Sequence, residues 1–172
     1  MAVRYVDGIL VKAWTRKGVD KTYCMRMIED LPKYILARGT VEIRGELYGK
    51  GLIPARSQRL AAGHLRKKQP SGMGLSFCAF QIFDGKGTEV SNLQQLVKWG
   101  FHVCGHIKVN TNVVSKVKQL HSQWQDSLIF SRYPTDGIVV KVLDKDLQDK
   151  IGRTSIAPSW ATAIKDTWRN VY

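Results

Sequence analysis

The chain has 172 residues, of which 27 are Lys or Arg and 14 are Asp or Glu, giving a formal net charge of +13 at pH 7. That length suits one domain of the usual ~100–200 residues, and 44% hydrophobic with 24% charged residues describes a chain that can bury a core and excludes a disordered tail. The excess positive charge is not needed for folding, so it points to a polyanion, either nucleic acid or an anionic surface.

Ala2–Val6 and Ile9–Trp14 are β-rich runs around Asp7-Gly8, a strong hairpin signal. Residues 22–37 show helical spacing at Met25, Ile28 and Leu31, interrupted by Pro32 and ended by Gly39. Val41–Tyr48 alternates, with Val41, Ile43 and Leu47 on one face and Glu42, Arg44, Glu46 and Tyr48 on the other. Ala55–Lys68 lacks β-branched residues and is read as a helix or helical loop carrying Arg56, Arg59, Arg66, Lys67 and Lys68. After a turn at Pro70–Gly74, Leu75–Phe83 is a strand of the kind buried on both faces.

Asn92–Trp99 is a short helix closed by Gly100, Phe101–Val109 a strand, and Asn112–Trp124 a helix with Val113, Val117 and Leu120 on one side. Gly137–Leu143 is the most β-prone run. Lys145–Ile151 is a helical turn and Ser159–Lys165 a last strand. Mixed strands, helices and hairpins predict an α+β fold, a mainly antiparallel sheet with flanking helices and no repeated βαβ unit. Neither G-x-G-x-x-G nor G-x-x-x-x-G-K-[ST] occurs, so Rossmann and P-loop readings have no support.

No apolar stretch approaches the ~20 residues that span a bilayer, and Met1 to Val11 lacks the form of a signal peptide. A soluble, cytoplasmic protein with no membrane partner is expected. Cys24, Cys78 and Cys104 are odd in number and widely spaced, which suits reduced thiols.

The informative residues are ionisable groups set into strands: Lys141 inside Val139-Val140-Lys141-Val142, Lys165 after Trp160-Ala161-Thr162-Ala163-Ile164, and Glu46. Singly, each suits an edge charge or a solvated face. Together, and with Asp136-Gly137 before a strand, they suggest a polar pocket whose lysines face phosphate and whose acid reads a sugar hydroxyl. His102, Cys104 and His106 at i, i+2 and i+4 share a strand face, but no fourth metal ligand is evident, and no metal is assigned. His64 and His121 have no Ser or Cys constellation. The basic cluster from Arg56 to Lys68 is either a solvated face or a contact for nucleic-acid phosphates.

These segments, in this order, resemble the adenylation (nucleotidyltransferase) domain of NAD-dependent DNA ligases, an ATP-grasp-like core. Tyr5–Gly8 and Leu10–Lys12 lead into Thr15-Arg16-Lys17-Gly18 as the family's hairpin leads into T-R-G-D-G. Glu42-Ile43-Arg44-Gly45-Glu46-Leu47 is similar to E-V-R-G-E-V, and residues 60–66 to A-A-A-G-S-L-R. Ser76–Phe80, Leu93–Phe101, Thr135–Val142 and Ala157–Lys165 look like F-F-C-Y, L-x-x-L-x-x-W-G-F, I-D-G-V-V-I-K-V and A-P-R-W-A-x-A-x-K.

The resemblance implies that Glu46 bonds the adenosine ribose and that Lys141 and Lys165 neutralise the α-phosphate as adenylate passes from NAD to a DNA 5′-phosphate. It implies cofactor contacts for Arg66 and Asp136, and nick-DNA contacts for Arg16, Arg56, Arg59, Arg66, Lys67 and Lys68. NAD is the implied adenylate donor, Mg2+ its companion, and nicked duplex DNA the substrate. The family's nucleophile is the lysine of K-x-D-G, which these 172 residues do not contain.

Residues 1–172 therefore read as a single partial adenylation domain, following K-x-D-G and running through the last phosphate lysine. The expectation is one subunit of a split ligase of the kind a large virus encodes, acting in host cytoplasm. A second subunit would carry K-x-D-G and the nicotinamide-binding region and dock by strand addition at an open sheet edge. The alternative is a ligase-derived, non-catalytic DNA-binding module.

Overall fold

The computed structural model describes residues 1–154 and 157–165, and the chain divides into two compact units, Met1–Cys104 and Gly105–Tyr172. In the first unit, β1 (Ala2–Val6) and β2 (Ile9–Trp14) form the expected hairpin. Asp7 and Gly8 both take positive φ, 46° and 83°, as a two-residue turn between right-twisted strands requires. A Cβ on Gly8 would stand 2.3 Å from the Ile35 carbonyl oxygen, so this turn is also where a second segment passes at backbone distance.

Short helix α1 (Thr22–Arg26) follows. Then come β3 (Thr40–Gly49), α2 (Pro54–Arg66), β4 (Leu75–Ile82), α3 (Glu89–Lys98) and the two-residue β5 (His102–Val103). The strands make one five-stranded sheet in the order β2-β1-β3-β4-β5. All pairings are antiparallel except β4 with β5, which are joined through α3, the kind of crossover a parallel pair needs. Helix α3 starts at a capping box in which Thr88 and Ser91 serve each other's backbone N–H groups.

Alternation along β3 sends Ile43, Gly45, Leu47 and Gly49 inward, while Glu42, Arg44, Glu46 and Tyr48 are at least partly open. Leu75–Ala79 of β4 is buried throughout, in line with its unbroken apolar sequence. Tyr5, Phe77 and Phe101 meet edge to face at the centre, with ring centroids 6.0 and 6.3 Å apart.

Three expectations change. Only Thr22–Arg26 of residues 22–37 is helical, although Met25, Ile28, Leu31 and Ile35 are all buried. Pro32 has no N–H and disfavours helical backbone at Leu31. The Lys33 ammonium takes up the Ile28 carbonyl and, at 2.7 Å, the Leu31 carbonyl.

The strand expected over Phe101–Val109 is only His102–Val103, which pairs with Cys78 and Ala79 of β4. Cys104 and His106 therefore share no strand face with His102.

The open edge expected for strand addition is not found at β2. Leu10 N–H donates to Lys33 O (3.0 Å) and Leu10 O accepts from the Arg26 guanidinium (3.2 Å). Ala13 N–H donates to Thr22 Oγ1 (2.9 Å) and Ala13 O accepts from Lys21 N–H (2.8 Å). The segment after the hairpin has occupied the ladder.

The second unit holds α4 (Val113–Gln125), β6 (Gly137–Lys141), α5 (Lys145–Ile151) and β7 (Ala161–Lys165). Strands β6 and β7 pair antiparallel as a separate two-stranded sheet. Asp144 caps α5 by accepting from Leu147 N–H at 2.8 Å. Buried Gln148 donates to Val142 O at 2.5 Å and ties α5 to the end of β6.

Candidate functional site

In the first unit Glu46 follows the β3–β4 register shift at Arg44/Gly45 and lies opposite Cys78. It is exposed at the rim of a cavity of about 280 Å³ that Thr15, Leu47, Gln58, Ala62 and Leu65 also line. Apolar Leu47, Ala61, Ala62 and Leu65 line the cavity together with polar Thr15 and Gln58 and one carboxylate at its edge, which suits a flat apolar ring with a hydroxyl-bearing appendage. The amino group of Met1 closes one side by donating to Gly45 O at 2.8 Å. Burial lowers its pKa, Glu46 opposes that fall, and Arg44 adds to it.

The other charged residues of β3 are engaged with neighbours. Glu42 pairs with Arg4 at 3.4 Å and with Arg44 at 3.7 Å. Arg4 lies over the Trp14 ring (4.9 Å) and Arg44 over Phe83 (4.4 Å), so a ladder of alternating cation, anion and aromatic groups crosses the sheet. Alternation revealed the charged face, but cross-strand partners cannot be read before the register is known.

Helix α2 places its basic residues to one side. Arg56, Arg59, Gly63 and Arg66 recur at i, i+3, i+7 and i+10, and the three arginines are exposed. Ser57, Ala61 and His64 form the buried stripe. No acidic residue occurs in this helix, so like charges three apart stand without the opposite-sign partners that stabilise an ordinary solvated face. Arg59 and Lys67 also border a cleft of about 130 Å³ with Ser71 and Met73.

Lys68 is exposed past the helix end, and Arg16 is exposed in the turn after β2. There Thr15 N–H bonds Val19 O and Gly18 N–H bonds Thr15 O. His64 is structural, its Nε2 3.0 Å from Cys24 O in a buried position.

In the second unit Lys141 and Lys165 close opposite ends of the β6–β7 ladder, paired with Ala161 and Gly137. Four ladder steps separate them, about 13 Å along the strands, and the even spacing puts both on one face. Exposed Val139 and Ala163 lie between them on that face. A phosphate shared by both lysines would lie over this small-residue floor. The two ammoniums are spread along the floor and do not stand side by side. Asp136, just ahead of β6, holds the Lys165 ammonium at 2.9 Å from its Oδ2.

A polar cluster of Asp30, Lys50, Ser76 and His102, of which only His102 stood out in the residue pattern, lies by β5. Asp30 Oδ2 is 3.3 Å from Lys50 Nζ and 3.6 Å from His102 Nδ1, and His102 Nδ1 is 3.2 Å from Ser76 Oγ. Serine and carboxylate face the same ring nitrogen, so no base-activated hydroxyl results. Among the described residues no three His, Cys, Asp or Glu side chains converge to hold a metal ion. Among them, too, no helix is long and apolar enough to cross a membrane.

Comparison with known proteins gives these placements a context. Residues 1–167 match the family model described as NAD-dependent DNA ligase adenylation domain. The chain is 31% identical over 192 residues to a DNA ligase of Fervidobacterium nodosum, covering 96% of this chain and 28% of that protein. It is 29% identical over 193 residues to one of Cytophaga hutchinsonii, with 96% and 29% covered. It is 31% identical over 196 residues to one of Thermobifida fusca, with 96% and 26% covered. The chain thus spans little more than a quarter of the length of the curated relatives it matches.

Proposed function

Because the chain belongs to the NAD-dependent DNA ligase adenylation-domain family, we propose that it supplies the adenylate- and phosphate-binding part of a nick-sealing ligase. In this reading NAD is the adenylate donor, nicked duplex DNA the acceptor, and a second subunit contributes the K-x-D-G lysine and the nicotinamide-binding region. The observation that carries the reading is the shared face of Lys141 and Lys165 across β6 and β7. Two fixed cations over an open floor of small side chains suit a phosphate whose bonds are being exchanged.

The chain's own work is electrostatic and orientational. Lys141 and Lys165 stabilise charge on the phosphate oxygens as the bond to the leaving group lengthens, a preorganised clamp of the kind that dominates phosphoryl and adenylyl transfer. Glu46 accepts a hydrogen bond from a ribose hydroxyl at the rim of the cavity and fixes the adenosine half, and Arg66 and Asp136 are further cofactor contacts. Arg16, Arg56, Arg59, Arg66, Lys67 and Lys68 meet the DNA backbone, positioning it without reading its sequence. The attacking amine lies outside these residues, which hold no K-x-D-G.

One observation favours a second reading. The all-basic stripe of α2 binds DNA without any chemistry, as a ligase-derived binding module would.

Incubation with adenylate-labelled NAD separates the two. Alone, the chain stays unlabelled; with a polypeptide carrying K-x-D-G and the nicotinamide region, label appears on that partner and nicked DNA is sealed. Label on the isolated chain overturns the assignment of the nucleophile to a partner. An assembled complex that binds nicks and never seals them establishes the binding module.

A further inference from the structure

The pairing of Asp136 with Lys165 is not explained by stability. The bond is short, 2.9 Å, yet the Lys165 and Asp136 side chains are 62% and 56% exposed, and pairs this exposed contribute little to stability. The backbone nonetheless brings the two together closely. Gly137 lies directly across from Lys165, and a Cβ there would stand 2.3 Å from Ile164 O and 2.9 Å from Lys165 Cα. The absence of a side chain at residue 137 lets the strands approach, and Asp136 is the next residue out from that contact.

We propose that Asp136 is a positioning residue that serves Lys165 as an exchangeable counter-anion, fixing its ammonium before a nucleotide phosphate arrives and releasing it to that phosphate. This rests on the reading of Lys165 as a phosphate-binding lysine. A lysine side chain has four rotatable carbons and loses considerable freedom when ordered. A carboxylate at the mouth of the strand orders it in advance, but the competition it offers an incoming phosphate outweighs that gain, so the carboxylate lowers affinity while it fixes the ammonium. Because the pair is solvated, the carboxylate gives way easily to a phosphate with more charge and more acceptor oxygens. No bond is made or broken; one charge-assisted hydrogen bond replaces another.

The test is AMP binding to the full chain, followed by calorimetry and by NMR of the Asp136 carboxyl carbon and the Lys165 ammonium nitrogen. Each signal is assigned by its loss in a variant. In the wild type both signals move over the same AMP range, the carboxyl toward a free carboxylate. Asp136→Asn removes the competitor, and AMP then binds roughly two- to five-fold tighter, the range an exposed ion pair supports; Asp136→Glu returns the affinity to the wild-type value. A merely structural role for Asp136 predicts weaker binding in Asp136→Asn.

A Lys165 signal that moves with AMP while the Asp136 carboxyl stays fixed overturns the exchange and leaves Lys165 a phosphate lysine. If Lys165→Ala binds AMP as tightly as wild type and the Lys165 signal never moves, the underlying reading fails and the exchange fails with it.

Discussion

Gly45 stands where any side chain would enter the ring of Phe77: a Cβ there would be 2.4 Å from the Phe77 Cζ and 2.8 Å from its Cε1. The Cys78 carbonyl oxygen would be 2.5 Å away. The backbone at Gly45 is thus pressed onto the aromatic centre of the core, and Glu46, the next residue, is carried outward to the cavity rim. Glycine is required here by space, with no unusual dihedral involved.

Gly45→Ala should therefore cost about 1–3 kcal/mol, the usual range for overpacking, read as a fall in the urea midpoint at unchanged m-value. Two of the three crowding atoms belong to Phe77, so Phe77→Leu in the Gly45→Ala background should recover part of the loss. A Gly45→Ala protein as stable as wild type would mean that the sheet yields at its register shift.

Tyr5 predicts an alkaline signature. Its ring is fully buried, its hydroxyl donates to Pro32 O at 2.5 Å, and burial raises its pKa well above the usual value of 10.0. Above pH 10 the unfolded chain loses this proton and the folded chain keeps it, so stability falls as pH rises, by up to about 1.4 kcal/mol per pH unit. At pH 8 Tyr5→Phe should be the less stable protein by about 1 kcal/mol, the worth of the lost hydrogen bond. Between pH 10 and 11 that gap should close. Denaturation midpoints at the two pH values check it, and a constant gap would mean that Tyr5 ionises freely in the folded state.

The α2 stripe predicts a salt dependence. Arg56→Gln, Arg59→Gln and Arg66→Gln should each weaken nick binding and each lower the slope of log affinity against log salt by about one. Exposed positions such as these should leave stability within about 0.5 kcal/mol. Slopes unchanged from wild type in all three variants would make the stripe a solvated face.

Lys141→Ala and Lys165→Ala should abolish sealing by the assembled ligase while leaving nick affinity within a few-fold, because transition-state charge is their load and backbone docking falls to α2. Single-turnover sealing and gel-shift titration on the same preparations measure the two quantities. Loss of nick binding in both variants would reassign these lysines to the DNA groove.

The parts of this fold written into local chemistry were legible from sequence. Asp7-Gly8 specified a turn, strict alternation specified β3, and the apolar run at Leu75 specified a buried strand. Residues 22–37 misled because their apolar spacing reports which side chains are buried, and a helix is only one backbone that buries them; Pro32 selected another. The candidate site was legible as residue types in order, while its geometry depended on register. The same-face, four-step separation of Lys141 and Lys165 and the approach of Asp136 through Gly137 exist only once β6 and β7 are aligned.

The occupied flank of β2 has a bearing on solution behaviour. Unpaired outer strands recruit copies of themselves and seed fibrous aggregates. Here the outward groups at Leu10 and Ala13 are already satisfied by the chain's own next segment, so this flank offers no template for backbone recruitment. Any companion that engages the first unit on this flank must recognise side chains, and its specificity is then set by sequence on both partners, since a bare backbone would accept any extended strand.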